Sequence, residues 1–212
     1  MFKTRAFIAS FMTLALAACS TDGQITPEGI LVTRSACPAV AIPVATGDVT
    51  LFNPPTSRDA AAIDVVATMT NVRSTCDESG EYIVSNVTFD VQALRRDTRG
   101  AREVVLPYFS VVVQGGTNVV AKRIGRVGLT FADGQARAST SGTATGYVLR
   151  SAATLPEETR RYINRPRKAG DPDAAVDPMS EPSVRAAVTR ATFELLVGFQ
   201  LTPEQLRYNA TR

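Results

Sequence analysis

Apolar and polar residues alternate with a period of two through the middle of the chain. Ile63, Val65, Ala67 and Met69 are interleaved with Asp64, Thr68 and Thr70. Ile83, Val87, Phe89, Val91 and Ala93 are interleaved with Asn86, Thr88, Asp90 and Gln92, and Val127, Leu129 and Phe131 with Gly128 and Thr130. Successive side chains of a strand point to opposite faces, so the pattern predicts strands with one buried face. The strands fall near 48–52, 62–74, 81–96, 103–114, 118–131 and 136–149. Glu78-Ser79-Gly80, residues 97–100, Gly115-Gly116 and Asp133-Gly134 mark the turns between them. Such short junctions favour antiparallel hairpins over helical crossovers. The predicted fold class is mainly β, an antiparallel β-sandwich over 39–150, Ig-like by analogy, with a C-terminal α-helix. A barrel is the competing all-β closure. With no Trp in the chain, the Cys…Trp…Cys signature of true Ig domains is absent.

The pattern changes after residue 150. Pro156, Pro166, Pro172, Pro178 and Pro182 fall within 151–182 among dense charge, which reads as a linker or long surface loop. Residues 183–212 read as a helical segment packed on the sandwich. Ser180-Glu181-Pro182 suits a helix start, and Val184, Ala187, Val188, Ala191, Leu195 and Phe199 recur at threes and fours. The stretch 193–201 also alternates well enough for a strand; the length of the helical spacing favours helix. Thr202-Pro203-Glu204-Gln205 has capping-box form and predicts one short helical turn.

The N-terminus carries an address. Lys3 and Arg5 precede an uncharged, mostly apolar run from Ala6 to Ala18, long enough for a signal h-region and too short to span a bilayer. It ends in Leu16-Ala17-Ala18-Cys19. In these residues the chain resembles bacterial lipoproteins, whose lipobox is an aliphatic residue, two small residues and the Cys that becomes residue one. The resemblance covers only the first 19 or so residues. It implies a signal peptide over 1–18, lipidation of Cys19, and a tether over 19–38. Two or more acyl chains anchor stably where one does not. By the enteric-type sorting rule, Ser20 in the second mature position permits transfer to the outer membrane. The expected localisation is therefore the outer membrane, lipid-anchored and facing the periplasm.

That reading alters the charge and cysteine arithmetic. The chain has 23 Lys+Arg and 20 Asp+Glu, and the signal removes two of the basic residues, leaving a nearly neutral mature protein. Nucleic acid is not expected as a partner, since it would need a clustered basic face. Cys37 and Cys76 are the only thiols left, an even pair in an oxidising compartment, and are expected to form a disulfide. Redox pairs usually place their thiols close together, as in C-x-x-C, which Cys37 and Cys76 do not.

Candidate chemistry is sparse. The chain has no His, which removes Ser-His-Asp and Cys-His catalysis and His-ligated zinc. Asp171-Pro172-Asp173-Ala174-Ala175-Val176-Asp177 has acids at alternate positions. It lacks the Asp or Asn and the Gly that an EF-hand requires at Ala175 and Val176. No metal or cofactor is expected. Gly115-Gly116 reads as a hairpin turn and Gly125 as a bulge. Arg160, Arg161, Arg165, Arg167 and Lys168 form a basic run suited to an anionic envelope surface, or an exposed loop offset by the acids after it. A transmembrane barrel needs at least about eight strands with aromatic girdles, which a chain 7% aromatic does not suggest.

The expected function is non-catalytic: a lipid-anchored envelope protein acting as scaffold or accessory subunit through contact with another envelope protein. The alternative is a module binding glycan, peptidoglycan or lipid, with Tyr82, Tyr108, Tyr147 and Tyr162 as aromatic platforms.

Overall fold

The computed structural model describes residues 23–26, 29–32 and 35–211. The expected signal peptide, Cys19 and Ser20 lie outside the described residues. The chain divides into two units, 1–34 and 35–212. In the first, β1 (Gly23–Thr26) pairs antiparallel with β2 (Gly29–Val32).

The second unit is a β-sandwich. Its strands are β3 (Ala39–Ala41), β4 (Asp48–Phe52), β5 (Ile63–Asp77), β6 (Tyr82–Arg95), β7 (Arg102–Gln114), β8 (Asn118–Phe131), β9 (Arg137–Leu149) and β10 (Phe193–Phe199). One sheet runs β3-β10-β7-β8 and the other β4-β5-β6-β9. All pairings are antiparallel except β3 with β10. The six strands read from alternation between 48 and 149 all form, with ends within about three residues of expectation.

The core follows from the alternation. Val65, Ala67, Ile83, Val87, Phe89, Val91, Leu129 and Phe131 are almost wholly buried between the sheets. Their polar neighbours in sequence face outward, so burial of one face drives collapse while the other stays solvated. The sheets close tightly at β9 because its inward residues are small. A Cβ on Gly142 would lie 2.3 Å from Phe89 Cζ, and one on Gly146 would lie 3.0 Å from Leu195.

β8 and β9 are each the last strand of their sheet and run side by side without main-chain pairing. Tyr108 spans this seam: it packs edge-on against Phe89 at 5.0 Å and donates its hydroxyl to Thr143 O at 2.6 Å. Gly125 opposite Tyr108 has no Cβ because one there would lie 2.3 Å from the phenol ring. The expected bulge at Gly125 is therefore not found; the register shift in this hairpin lies at Val112/Val113, and Val120 is the residue left over.

The second departure concerns the C-terminal segment. The expected helix ends early: α3 spans Pro182–Arg190, and Phe193–Phe199 is β10 instead. Thr192 donates its hydroxyl to Val188 O, which occupies a carbonyl at the helix end, and the chain then turns into the sheet. Phe193, Leu195, Val197 and Phe199 face the core, paired with β7 from Phe193↔Gln114 to Phe199↔Tyr108. Gly198 is buried as well, and Leu196 half-buried. An interior strand covered on both faces loses its polar alternation, so its apolar run also satisfies a helical spacing. The capping box forms as expected: Thr202 Oγ1 accepts from Gln205 N, and Gln205 Oε1 accepts from Thr202 N. It starts α4 (Pro203–Thr211), longer than one turn. Tyr208 of α4 packs edge-on against Phe52, and Asn209 donates to Ala45 O and Asp48 O. Between β9 and α3 lie α1 (Arg150–Ala153) and α2 (Glu157–Asn164). The described residues include no helix long and apolar enough to cross a membrane.

Candidate functional site

Cys37 and Cys76 are joined in a disulfide, with Cα atoms 6.2 Å apart. The bond ties the segment entering the fold to the far end of β5, where only β6 is paired with it. Glu78 lies against this corner and accepts from Ser35 Oγ at 2.6 Å. Cys37, Cys76 and Glu78 are the one cluster of ligand-type atoms among the described residues. Because both sulfurs are bonded to each other, neither is a thiolate able to hold a metal.

The basic run is placed on and after α2. Glu157 accepts from both Arg160 and Arg161, and Asp173 pairs with Arg165 and lies 3.5 Å from Arg167 Nε. Arg167 also lies over the Tyr162 ring at 5.5 Å. Lys168 takes part through its main-chain N–H, which donates to Asp171. The acids 171–177 are thus used locally: Asp173 in ion pairs, Asp171 in a turn, and Asp177 as the cap of Met179 N. The two flanking arginines on Glu157 hold its carboxyl below the usual range, with the Arg161 hydrogen bond the largest cause.

Three further surfaces are assembled by the tertiary structure. The first is the outer face of β5, β6 and β9. In register across the three strands stand Thr68, Gln92 and Ser139; Thr70, Asp90 and Ser141; and Thr75, Asn86 and Thr145. Asp90 accepts from Asn71 Nδ2 and Ser141 Oγ, both at 2.8 Å, which lowers its pKa. Tyr82 and Tyr147 are exposed at one end of this face, on adjacent strands. Of the four tyrosines considered as platforms, these two are brought together. Tyr108 is committed to the seam, Tyr162 lies under Arg167, and Tyr147 itself has Arg123 over its ring.

The second is the open half of β8. Its last residues alternate buried and exposed, but 118–124 are exposed throughout. Val119, Val120 and Ile124 are 59%, 52% and 52% exposed on this terminal strand. Lys122 lies over the Phe109 ring and Arg123 over Tyr147.

The third is an open cleft of about 430 Å³ between β4 and α4, where Arg58 stacks 5.2 Å over Phe52 beside Asp64, Glu204 and Tyr208. Glu204 is held below the usual carboxylate range by its own main-chain N–H and by the Thr202 hydroxyl, as befits the first turn of α4. Asp64 is bound bidentately by Arg102 at 2.9 and 3.1 Å. These charges serve caps and ion pairs, and no activated nucleophile stands among the cleft's residues. Asp90 on β6 and Glu103 on β7 lie on different sheets.

A buried charge also escaped notice. Arg95 is 2% exposed and has no acidic partner in an ion pair among the described residues; it donates to Thr98 O, Gly100 O, Ala132 O and Gln135 O, each at 2.8 Å. Its guanidinium lies 5.2 Å over Phe131. The signal was present: Arg95 continues the inward series 83, 85, 87, 89, 91 and 93.

Compared with protein-family models, curated proteins and solved structures, the chain finds no match in any of the three.

Proposed function

We propose that this is a lipid-anchored envelope protein, held at the outer membrane through Cys19 with Ser20 behind it, that works without catalysis. It serves as a scaffold or accessory subunit by contact with another envelope protein. The observation that carries this reading is the open half of β8, a terminal strand whose apolar side chains Val119, Val120 and Ile124 stand in solvent. Exposed apolar side chains on a bare sheet edge suit a protein partner better than a small ligand. The test is a crosslinked pull-down of the lipidated protein from its own membranes under non-reducing conditions. One dominant protein at near-equal stoichiometry is the expected result, and its absence refutes the reading. The anchor is tested separately: Cys19→Ser is expected to leave the membrane fraction or remain unprocessed.

A second reading rests on the outer face of β5, β6 and β9. Rows of hydroxyl and amide groups beside exposed Tyr82 and Tyr147 offer hydrogen bonds and a stacking surface for an uncharged glycan. Binding to isolated peptidoglycan that is lost in a Tyr82→Ala, Tyr147→Ala double variant would support it; no binding by the parent protein would dismiss it.

A further inference from the structure

The open half of β8 has a chemistry that selects its occupant. We infer that it accepts an extended, acidic segment of a partner protein as an added strand, an inference that rests on the protein-contact reading above.

β8 is hydrogen-bonded on one side only, by β7, so alternate main-chain N–H and C=O groups of 118–124 have no strand partner among the described residues. Lys122, Ile124 and Arg126 occupy every second position and therefore share one face of the strand; all three are exposed. Arg123 lies on the other face. β8 and β9, which line the seam, contain Lys122, Arg123, Arg126 and Arg137 and no Asp or Glu. Residues directly opposite in an added strand meet on the same face, where opposite charges attract and like charges repel. The matching order for the partner is therefore acid, apolar, acid. A second copy of β8 would place cation against cation and is disfavoured for the same reason.

Lysines and bulges on an edge also serve to keep other strands away. Here Lys122 and Arg123 lie over Phe109 and Tyr147, while Val119, Val120 and Ile124 are left in solvent. An edge guarded only against pairing has no use for those exposed apolar side chains. The two roles also differ in sign: a guard works with either charge, whereas a docking strand does not.

The experiment uses the full lipidated chain in nanodiscs and two synthetic peptides. One is Glu-Thr-Val-Glu-Glu-Thr and the other has Lys in place of each Glu, both with blocked ends. The acidic peptide is expected to bind, to slow amide exchange within 118–126, and to weaken at high salt. A Lys122→Glu, Arg126→Glu variant, checked for an unchanged melting temperature, is expected to lose at least tenfold in affinity for it and to gain the lysine peptide. Equal binding of both peptides, indifference to the charge reversal, or no change in exchange on β8 overturns the inference. A photocrosslinker at position 124 in native membranes separates the two levels. A stoichiometric partner that crosslinks only from other surfaces, or a second copy captured at position 124, overturns strand addition and leaves the protein-contact reading standing. No partner from any surface refutes that reading itself.

Discussion

The two ends of the β5–β6 hairpin are closed by different means. At one end Arg95 holds the loops 98–100 and 132–135 together through four carbonyls, and Gly100 N donates to Asp133 as a further tie. At the other end Cys37 and Cys76 are covalently joined in a half-exposed corner. The first closure acts in the folded state, because the buried guanidinium of Arg95 meets the four loop carbonyls only when both loops are in place. The second acts mainly on the unfolded chain, by removing conformations it would otherwise visit. The pair teaches that one end of this sandwich depends on oxidising conditions, while the other is held without a covalent bond.

The largest expected effect breaks the non-covalent end. Arg95→Ala removes all four hydrogen bonds to the loop carbonyls together with the buried side chain that lies over Phe131. At about 1 kcal/mol net for each hydrogen bond lost, the loss amounts to roughly 4 kcal/mol and leaves little folded protein. Urea titration of the two proteins measures it; a loss below about 1 kcal/mol would mean the clasp is incidental. Reducing the disulfide, or replacing both cysteines by Ser, is expected to lower stability by about 2–4 kcal/mol for a loop closed across 39 positions. Amide exchange should then rise first in 71–77, where β5 has lost β4 as a neighbour, and stay unchanged at the Arg95 end.

A smaller effect probes the seam between the sheets. Gly142→Ala forces a methyl group onto Phe89 and Val127, and is expected to destabilise by about 1–3 kcal/mol through overpacking. Phe89→Leu in the same chain should recover part of that loss.

The smallest effect is on pH dependence. Asp97, hydrogen-bonded chiefly by the Arg99 side chain, and Asp77, bonded chiefly by Ser79 N, both have folded pKa values below the ordinary carboxylate value. A carboxylate with a lowered folded pKa contributes stability above the unfolded value, near 4, and loses it as pH falls through the folded value. Melting temperature should therefore decline gently below about pH 4. Asp97→Asn should flatten that decline at the Arg95 end, and Asp77→Asn at the disulfide end.

How far the molecule was legible depended on how local each signal is. The strands from 48 to 149 were readable because a period of two is printed in consecutive residues whenever one face is buried and the other wet. The disulfide was readable because only two cysteines remained to pair once Cys19 was assigned elsewhere. Seven residues of β10 were not, since its second face is only partly exposed and carries Leu196 and Gly198, with Glu194 as its one polar side chain. Gly125 looked like a bulge in sequence because the ring that requires it, Tyr108, lies on the neighbouring strand. The acids after the basic run were legible as its counter-charges, and Asp173 is one of them; Glu157, which precedes the run, was not, because its pairing with Arg160 and Arg161 depends on α2 forming.

The sequence by itself determined the alternating strands, the capping box at Thr202 and the pairing of Cys37 with Cys76. Each of these is set by residues near one another or by elimination. Only the tertiary structure decided which strands lie at the edges of their sheets. That in turn decided that Val119, Val120 and Ile124 face water while the similar residues of β10 are sealed in the core. Both stretches are apolar, and hydrophobic burial is non-directional. Which stretch is covered depends on which long-range pairings close, and those are not written in any local run of residues.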